Sequence, residues 1–497
     1  MVNRPVVRSV DRTLGSRQLA GLLSTAPHPD SRPEVDGRPG YRALADGVRK
    51  LLLDGRIALH IRLPAERELA STLGVSRATV TAAYDLLRES GFARSRRGAG
   101  TWTELPEGHR PTNVASFPVN DGVIDLAFAA PGAPEAELAE AVAAACTMLA
   151  RHAPTPGYNP YGIPELRAAV AERFTRRGLP TLPDQILITA GAQQALSLTL
   201  GLLGRPGDRV LVENPSYPNA LDAIRRAGLR TTPVPVTEIG WDSGLIDCAL
   251  RQAAPRIAYL IPDFHNPTGR LMPPEQRLAV LESARATGTW LLIDETMSEI
   301  ALDVPAPAPF ASLAPRGMAE QIVTVGSLSK THWGGLRVGW VRAGSRLITE
   351  LATARVPTDM GGPVLDQLVA LGLLARTDDV LRERLPRLRA QRDALAESLG
   401  RHLPDWRWQL PPGGLTLWID LGRPIASALA RAALAQGVRV EGGARFGADP
   451  GTHEQRLRFP YTLSPEVLDD AVRRVATALD SGLDAAGTDA GRPHWVA

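Results

Sequence analysis

One lysine in the sequence lies among unusually small neighbours. Lys330 occupies the segment Val325-Gly-Ser-Leu-Ser-Lys-Thr-His-Trp-Gly-Gly-Leu-Arg-Val-Gly-Trp340. Glycine lets the backbone approach a ligand closely, and serine hydroxyls together with Arg337 suit a phosphate group. A lysine amine beside a phosphate site is the combination that pyridoxal phosphate requires, because its aldehyde forms a Schiff base with lysine. A buried loop with an incidental lysine and arginine is the alternative that this segment alone leaves open.

A second segment matches the phosphate of the same cofactor. The strand-like run that ends at Thr189 is followed by Gly191, and a helical run begins with Ala192 and Gln193. Backbone N–H groups at a helix N-terminus bind phosphate, and Ser327 and Arg337 would complete the phosphate site. Many α/β turns look alike, so this turn is a weak signal by itself.

Four further residues match the remaining needs of the cofactor and of an amino-acid ligand. Tyr217 can stack on the pyridine ring, Asp294 can pair with the ring nitrogen, and Asn266 can donate to the phenolic oxygen. Arg456 can bind the carboxylate of an amino acid as a bidentate pair. Each residue has a structural alternative, since Asn-Pro-Thr-Gly is a good turn, Asp294 could cap a helix, and Arg456 could be a surface arginine.

The composition is that of a soluble globular protein. The 497 residues, 44% apolar and 22% charged, predict two or three domains. Cys146 and Cys248 cannot form a disulfide framework or a metal site, and we interpret them as reduced, buried thiols. The N-terminus lacks the apolar core of a signal peptide, and no apolar run is long enough for a membrane span. We therefore expect a cytoplasmic, nucleoid-associated protein with no membrane contact and no metal.

Positive charge is concentrated near the N-terminus. Residues 41–103 contain eleven Arg and Lys against six Asp and Glu, a balance of +5, whereas the whole chain carries +3. The same region has helical periodicity in its first part, a short helix that the pattern starts at Leu63-Pro64, and a third helix capped by Ser76. Two short strands around a basic, glycine-rich turn follow. The segment predicts an anionic partner for this module alone.

This order of elements describes a winged helix-turn-helix domain. Its third helix can enter the major groove of double-stranded operator DNA, while wing arginines neutralise phosphates. The predicted DNA-binding residues are Arg67, Ser76, Arg77, Thr79, Thr81, Arg96, Arg97 and Gly98. A helical bundle with a solvated basic face is the structural alternative.

The N-terminal module resembles the GntR-type DNA-binding domains. The resemblance is carried by Leu63-Pro-Ala-Glu-Arg-Glu-Leu-Ala70, Leu73-Gly-Val-Ser-Arg-Ala-Thr-Val80 and Gly98-Ala-Gly-Thr101. Ala65 departs from the family, which commonly has a serine there that caps the second helix opposite Glu68. The loss should cost on the order of 1 kcal/mol of helix stability.

The rest of the chain predicts a mostly parallel α/β sheet. Short apolar runs alternate with amphipathic helices from Val123 to about Leu479. Ligands of such sheets bind at the carboxyl ends of the strands. We predict a flexible arm over 1–40, the winged helix over 41–103, a linker over 104–121, the α/β domain over 122–480 and a tail over 481–497.

The α/β region resembles the fold-type I, class I aminotransferases, which have a large and a small subdomain. Gly191, Tyr217, Asn266, Asp294, Lys330 and Arg456 follow the order of that family. The resemblance implies that Tyr158, in Tyr158-Asn-Pro-Tyr-Gly162, reaches the cofactor phosphate of a neighbouring subunit in a homodimer. Tyr161 competes for that role.

The family pattern is broken after Asp294. The family has a tyrosine two or three residues later, which donates to the phenolic oxygen, whereas this chain has Thr296 and Met297. Methionine cannot donate, and threonine is shorter and far less acidic than a phenol. We expect cofactor binding to survive and efficient transamination to be lost.

Taken together, the two resemblances are to the MocR/GabR family of bacterial transcription regulators. The resemblance implies that a small amine or amino-acid effector forms an external aldimine with the cofactor, releases Lys330 and alters operator binding. Two alternatives stay open at this point. One is a regulator that senses the cofactor (vitamin B6) level itself, and the other is an active aminotransferase with a DNA-binding head.

Overall fold

The computed structural model describes residues 13–24, 40–96, 100–106, 122–315, 317–449 and 451–481. The chain forms two compact units. The N-terminal unit draws on residues 1–111 and 449–455, and the large unit on residues 112–448 and 456–497. Predictions for most of the linker, for the tail beyond residue 481 and for Arg97 and Gly98 fall outside the described residues.

Fifteen α-helices lie within the described part of the chain. In order they are α1 Ser16–Ser24, α2 Tyr41–Leu53, α3 Glu66–Leu73, α4 Arg77–Glu89, α5 Glu135–His152, α6 Pro164–Arg176, α7 Ala192–Leu203, α8 Pro218–Arg226, α9 Ser243–Ala253, α10 Pro274–Thr287, α11 Ser345–Asp359, α12 Val364–Ala375, α13 Thr377–His402, α14 Ala426–Ala435 and α15 Pro465–Asp480.

Fifteen strands lie within the same residues. They are β1 Ala93–Arg96, β2 Gly100–Thr103, β3 Ile124–Asp125, β4 Ile186–Thr189, β5 Arg209–Asn214, β6 Arg230–Pro235, β7 Ile257–Leu260, β8 Trp290–Asp294, β9 Ile322–Ser327, β10 Gly339–Arg342, β11 Arg407–Trp408, β12 Thr416–Asp420, β13 Val438–Arg439, β14 Glu441–Gly442 and β15 Arg456–Pro460.

The N-terminal unit consists of α1 to α4 and the antiparallel hairpin β1–β2. Its core includes Val48 and Val80, which are fully buried, from α2 and α4. Leu19 and Leu23 of α1 are buried in the same core, so this part of the predicted arm is packed against the domain. The hydroxyl of Ser76 accepts the N–H of Thr79 at 3.0 Å and caps α4, as the sequence predicts.

Helix α3 begins later than predicted. The pattern starts the helix at Leu63-Pro64, whereas α3 begins at Glu66 with Ala65 as its N-cap. Ala65 makes no side-chain cap bond. Glu68, free of a capping-box role, accepts a hydrogen bond from the hydroxyl of Ser16 at 3.2 Å.

The large unit is built on a seven-stranded sheet of order β4-β10-β9-β8-β7-β5-β6. Six strands run in one direction, and β10 alone is antiparallel to its neighbours β4 and β9. The mostly parallel sheet is therefore confirmed. The edge strand β6, Arg230–Pro235, has one exposed residue, Arg230, and contains two prolines, which an edge strand tolerates.

A smaller sheet of order β11-β12-β15-β14 forms a second layer with α13, α14 and α15. Arg456 and Arg458 on β15 point to one face of this sheet, and Leu457 and Phe459 are buried on the other. Next to this sheet, β3 pairs in parallel with β13. Residues that follow the linker are thereby joined to the small subdomain.

One prediction about the cysteines is wrong. Cys146 on α5 and Cys248 on α9 are free thiols but exposed rather than buried. Both lie on amphipathic helices, whose inward positions are filled by residues such as Ala145 and Ile246. Within the described ranges, no helix is long and apolar enough to cross a membrane.

Candidate cofactor and DNA-binding sites

The predicted cofactor residues meet in one pocket at the carboxyl edge of the large sheet. The polypeptide segments that supply them leave β4, β5, β7, β8 and β9 at the same edge. The pocket is lined by Ala130, Ala192, Gln193, Leu196, Tyr217, Ile261, Asn266, Asp294, Thr296, Met297, Ser327, Ser329, Lys330, Gly334 and Arg337. Eight of the ten predicted cofactor residues are in this wall, and Gly191 directly precedes it.

The phosphate end of the pocket is the start of α7. Gly191 is the N-cap residue, with a φ of 80° that favours glycine. A Cβ atom there would lie 2.8 Å from the guanidinium of Arg337. Arg337 donates to the carbonyl of Ala190 at 3.0 Å, which holds its charge beside the N–H groups of the helix. The arrangement suits a phosphate dianion.

Two serines and a short π-helix present the lysine to this pocket. The hydroxyls of Ser327 and Ser329 lie 2.8 Å apart, and Ser327 bonds to the carbonyl of Val338 at 3.0 Å. The π-helical turn Ser329–Trp333 begins two residues after the end of β9. Such turns are rare and frequent at functional sites. Ser329 also lines the pocket, and sequence reasoning passed over it; its signal is the Ser-Leu-Ser spacing around Ser327.

Lys330 has the properties of a nucleophilic amine. Its Nζ donates to the carbonyl of Ala129 at 2.9 Å. Burial above all, together with the charges of Arg458 and Arg337, lowers the pKa of Lys330 to about 8, and the charge of Asp294 opposes this shift. A larger neutral fraction at neutral pH makes the amine more reactive towards a carbonyl group.

Asp294 lies opposite, at the end of β8. Its Oδ2 accepts the hydroxyl of Tyr259 at 2.9 Å, and its Oδ1 accepts the N–H of Thr296 at 3.0 Å. Burial raises the pKa of this carboxyl, and the bonds from Thr296 and Tyr259 and the charge of Lys330 oppose that shift. A carboxylate held in this way can bind a protonated ring nitrogen.

Asn266 and Tyr217 complete the walls. Asn266 precedes a cis proline and is mostly buried, with its Oδ1 3.5 Å from a guanidinium nitrogen of Arg458. The Tyr217 hydroxyl accepts from Asn219 at 2.8 Å, and burial raises the pKa of Tyr217 to about 12. Tyr217 therefore remains a neutral ring suited to stacking.

The structure places the two arginines of β15 in different surroundings. Arg456 forms ion pairs with Glu238 at 3.0 Å and Asp420 at 3.3 Å. Arg458 is fully buried, donates to the carbonyl of Ala127, and stacks 4.9 Å from the ring centroid of Phe446. Sequence reasoning chose the first arginine and passed over the second. Both share one strand face, so only the packing distinguishes them.

The two tyrosines that compete for the neighbouring subunit also differ. Tyr161 packs against the core of the large unit, with the guanidinium carbon of Arg167 5.2 Å from its ring centroid. Tyr158 is 70% exposed and does not line the pocket of its own chain. This contrast favours Tyr158 as a residue that another subunit could use.

Thr296 and Met297, the two residues that stand where the family pattern has a tyrosine, both line the pocket, and Met297 is the more buried of the two. Its side chain is buried among the apolar residues of the small subdomain. The backbone N–H of Thr296 donates to Asp294. The interpretation of this segment as a broken aminotransferase pattern stays a prediction.

These residues fit pyridoxal phosphate. The α7 N-terminus, Ser327, Ser329 and Arg337 offer donors for the phosphate. Asp294 and Lys330 provide the carboxylate and the amine that the ring and the aldehyde need. When bound, the cofactor would supply an electron-withdrawing ring conjugated to the bound amine.

The predicted DNA-binding residues within the described ranges lie in the N-terminal unit. Arg67 on α3 and Arg77 at the start of α4 are exposed. Glu66 accepts from Arg77 at 3.4 Å and from the hydroxyl of Thr81 at 2.9 Å, so it orients both side chains. The Ser76 hydroxyl accepts the backbone N–H of Thr79 and is also hydrogen-bonded to the Thr79 hydroxyl. Arg96 ends β1.

Comparisons with known proteins match both units. A model of the bacterial regulatory proteins of the gntR family matches residues 40–102, and the aminotransferase class I and II model matches residues 123–475. The probable rhizopine catabolism regulatory protein MocR of Rhizobium meliloti is 29% identical over 74% of this chain and 78% of its own length. The 2-aminoadipate transaminase of Thermus thermophilus is 34% identical over 66% of this chain and 81% of its own.

A solved structure confirms the predicted fold of the large unit. LysN, an alpha-aminoadipate aminotransferase of Thermus thermophilus complexed with N-(5'-phosphopyridoxyl)-L-leucine, has 31% identity and a TM-score of 0.67. The match covers 73% of this chain and 93% of LysN. The chain belongs to the MocR-type transcription regulators, in which a gntR-family winged helix precedes a fold-type I aminotransferase class I and II domain.

Proposed function

We propose that this regulator binds pyridoxal phosphate at Lys330 and changes its operator binding when a small amine or amino acid replaces Lys330 on the cofactor. The observation that carries the proposal is the convergence of Lys330, Asp294 and the α7 N-terminus on one pocket. The amine of Lys330 is partly neutral at neutral pH because its pKa is lowered to about 8. A neutral lysine amine can bond to the cofactor's aldehyde carbon, and an effector amine would attack the same carbon and release Lys330 as a free amine.

Arg458 supports an effector with a carboxylate. Its Nε is buried without a hydrogen-bond partner among the described residues, and its contact to Asn266 is long at 3.5 Å. A bidentate carboxylate would satisfy such a guanidinium better than these contacts do. We assign the carboxylate of an amino-acid effector to Arg458 in preference to Arg456, which has two acidic partners already.

Arg458 also connects the site to the segment that leads to the linker. It donates to the carbonyl of Ala127, and Asp125 in the same segment forms an ion pair with Arg439 at 2.8 Å. An effector that draws the Arg458 guanidinium towards the cofactor would weaken its hydrogen bond to Ala127 and so loosen the attachment of this segment. Such an effector shifts the regulator only by its differential affinity for the two arrangements.

The proposal includes a homodimer in which Tyr158 reaches the partner's phosphate site. Its exposure supports this role, since a tyrosine at an interface can offer both an apolar face and a hydroxyl. Paired winged helices would then read two half-sites of an operator.

A screen of amines, amino acids and keto acids would test the proposal. Purified full-length protein loaded with the cofactor is mixed with DNA from upstream of its own gene, and each compound is scored for both the cofactor's visible absorbance and the gel shift. A compound that changes both supports the effector role. DNA binding that responds to the cofactor alone and to no amine would favour a cofactor-level sensor instead.

Arg77→Ala is expected to weaken operator binding by roughly 10- to 100-fold, because a bidentate base contact is worth about 1–3 kcal/mol. The measurement is a gel-shift titration at fixed salt concentration. Arg346→Ala, which removes a highly exposed arginine from α11 of the large unit, serves as the control and should bind as tightly as wild type. Equal affinity of Arg77→Ala and wild type would contradict the docking of α4.

Met297→Tyr is expected to bring back part of an aminotransferase's spectral behaviour. A phenol that donates to the cofactor's phenolic oxygen stabilises the deprotonated form of the conjugated imine, so the midpoint of the pH-dependent absorbance change should fall by about one unit. Met297→Phe adds a ring without a donor and should leave the midpoint near that of wild type. Identical midpoints in all three proteins would show that residue 297 does not contact the phenolic oxygen.

A further inference from the structure

Tyr259 lies directly behind the carboxylate of the candidate cofactor site. It is on β7, which pairs in parallel with β8, and it is fully buried. Its hydroxyl donates to Asp294 Oδ2 at 2.9 Å. Among the described residues the pocket wall includes Asp294 and not Tyr259. The hydroxyl therefore reaches the carboxylate from the side away from the pocket.

We propose that Tyr259 is a positioning residue, whose hydroxyl fixes the orientation of Asp294 and keeps this carboxylate ionised for a protonated ring nitrogen. This role rests on the proposed function and deepens it, because it assigns the support of the cofactor site to a residue that never touches the cofactor. A carboxylate has about four lone-pair positions. Tyr259 and the N–H of Thr296 occupy one on each oxygen, and positions towards the pocket are left for a ring N–H.

The surroundings of Asp294 explain why such support is needed. Burial is the largest influence on this carboxyl and raises its pKa. Donation from Thr296 and Tyr259 lowers the pKa, as does the charge of Lys330. Asp263, beyond the end of β7, and Tyr217, at the start of α8, also interact electrostatically with the Asp294 carboxyl. The ionised state thus depends on a small set of donors.

Tyr259 is suited to be a permanent donor. Burial and the charge of Asp294 raise the pKa of its phenol well above the ordinary value. It consequently stays protonated at every pH at which the protein would be studied. A phenylalanine would fill the same space between the strands, so the feature that distinguishes this residue is its hydroxyl, which is directed to Asp294.

The experiment compares cofactor affinity of the full-length wild type and Tyr259→Phe from about pH 6 to about pH 9. Loss of the hydroxyl leaves Asp294 Oδ2 with one donor fewer, which raises the pKa of Asp294, and a protonated carboxyl cannot pair with a protonated ring. The variant should bind the cofactor about tenfold more weakly at the acid end. The difference should shrink as the pH rises and Asp294 becomes ionised in both proteins.

Tyr461→Phe is the matched control. Tyr461 is also fully buried, and its hydroxyl bonds to the backbone carbonyl of Gly413 at 3.2 Å in the small subdomain. It should lose stability without a change in cofactor affinity. A loss in Tyr259→Phe that is equal at every pH, or one that Tyr461→Phe shares, would assign Tyr259 a structural role only and overturn the proposal.

Two further outcomes separate this role from the proposed function. Equal affinities of wild type and Tyr259→Phe across the pH range would overturn the role of Tyr259 and leave the cofactor site intact. A wild-type protein that binds no pyridoxal phosphate at any pH would overturn both. If Tyr259→Phe does not fold, the infrared signal of a protonated carboxyl in wild type, compared with Asp294→Asn, tests the same claim; a protonated Asp294 at neutral pH in wild type would overturn the proposal.

Discussion

Lys330→Ala is expected to abolish the visible absorbance of the cofactor-loaded protein. The amine of Lys330 is the group in the pocket that can bond to the cofactor's aldehyde. Its removal leaves the phosphate and ring contacts but no covalent attachment. The absorbance spectrum after reconstitution with pyridoxal phosphate and gel filtration is the measurement. Effector-dependent changes in operator binding should disappear together with the band.

The lysine content of this chain makes the test unusually sharp. The sequence contains only two lysines, Lys50 and Lys330, among 56 basic residues. Lys50→Ala is therefore a complete control and should retain the band. Borohydride reduction followed by mass spectrometry should find the cofactor's mass on the peptide with Lys330 and not on that with Lys50. Cofactor on Lys50, or a persistent band in Lys330→Ala, would contradict the proposal.

The fold of both units could be predicted because its signals are local. Ser76 precedes a helical pattern with an inward valine at Val80, and the structure shows both the cap and the buried side chain. Buried parallel strands such as β7 and β8 are continuous apolar runs, which the sequence displays without alternation. Exposed cysteines were missed because a helix position is inward or outward only relative to its packing partners.

Some residues of the candidate site could likewise be predicted from the sequence, and others could not. Asp294 ends β8 and Lys330 lies three residues beyond β9. Because parallel strands end at the same edge of a sheet, their positions along the chain were enough to place them together. Tyr259 and Arg458 carry no such signal. Each matters through a contact between residues distant in sequence, 35 positions for Tyr259 and Asp294 and 331 for Arg458 and Ala127. Only the tertiary packing brings these partners together.

The pocket joins two functions that usually occur in different proteins. The aminotransferase pattern has a tyrosine two or three residues after the aspartate, and here Thr296 and Met297 line the pocket at those positions. A sensor needs an exchangeable amine and a recognition group coupled to another region of the chain. In the proposed function Lys330 would meet the first need, and Arg458, which contacts both Asn266 and Ala127, would meet the second.

Arg458→Lys is expected to weaken the response to an amino-acid effector by roughly 10- to 100-fold. Lysine keeps the positive charge near the buried carboxyl of Glu441. Burial raises the pKa of Glu441 to about 7, although the charge of Arg458 opposes this shift. Lysine cannot form the two parallel bonds of a guanidinium with a carboxylate, and charge-assisted hydrogen bonds are worth about 1.5–3 kcal/mol. The measurement is the effector concentration that gives half of the maximal change in operator binding.

Arg456→Lys is the matched comparison, because it makes the same change two residues away on the same strand face. Its ion pairs with Glu238 and Asp420 are expected to tolerate a lysine, so its response should lie within about threefold of wild type. A responding amino acid and the amine that lacks its carboxylate should be tested in parallel. Arg458→Lys should affect only the amino acid, since its guanidinium is assigned to the carboxylate. The reverse result, a loss in Arg456→Lys with a normal response in Arg458→Lys, would restore Arg456 as the effector residue.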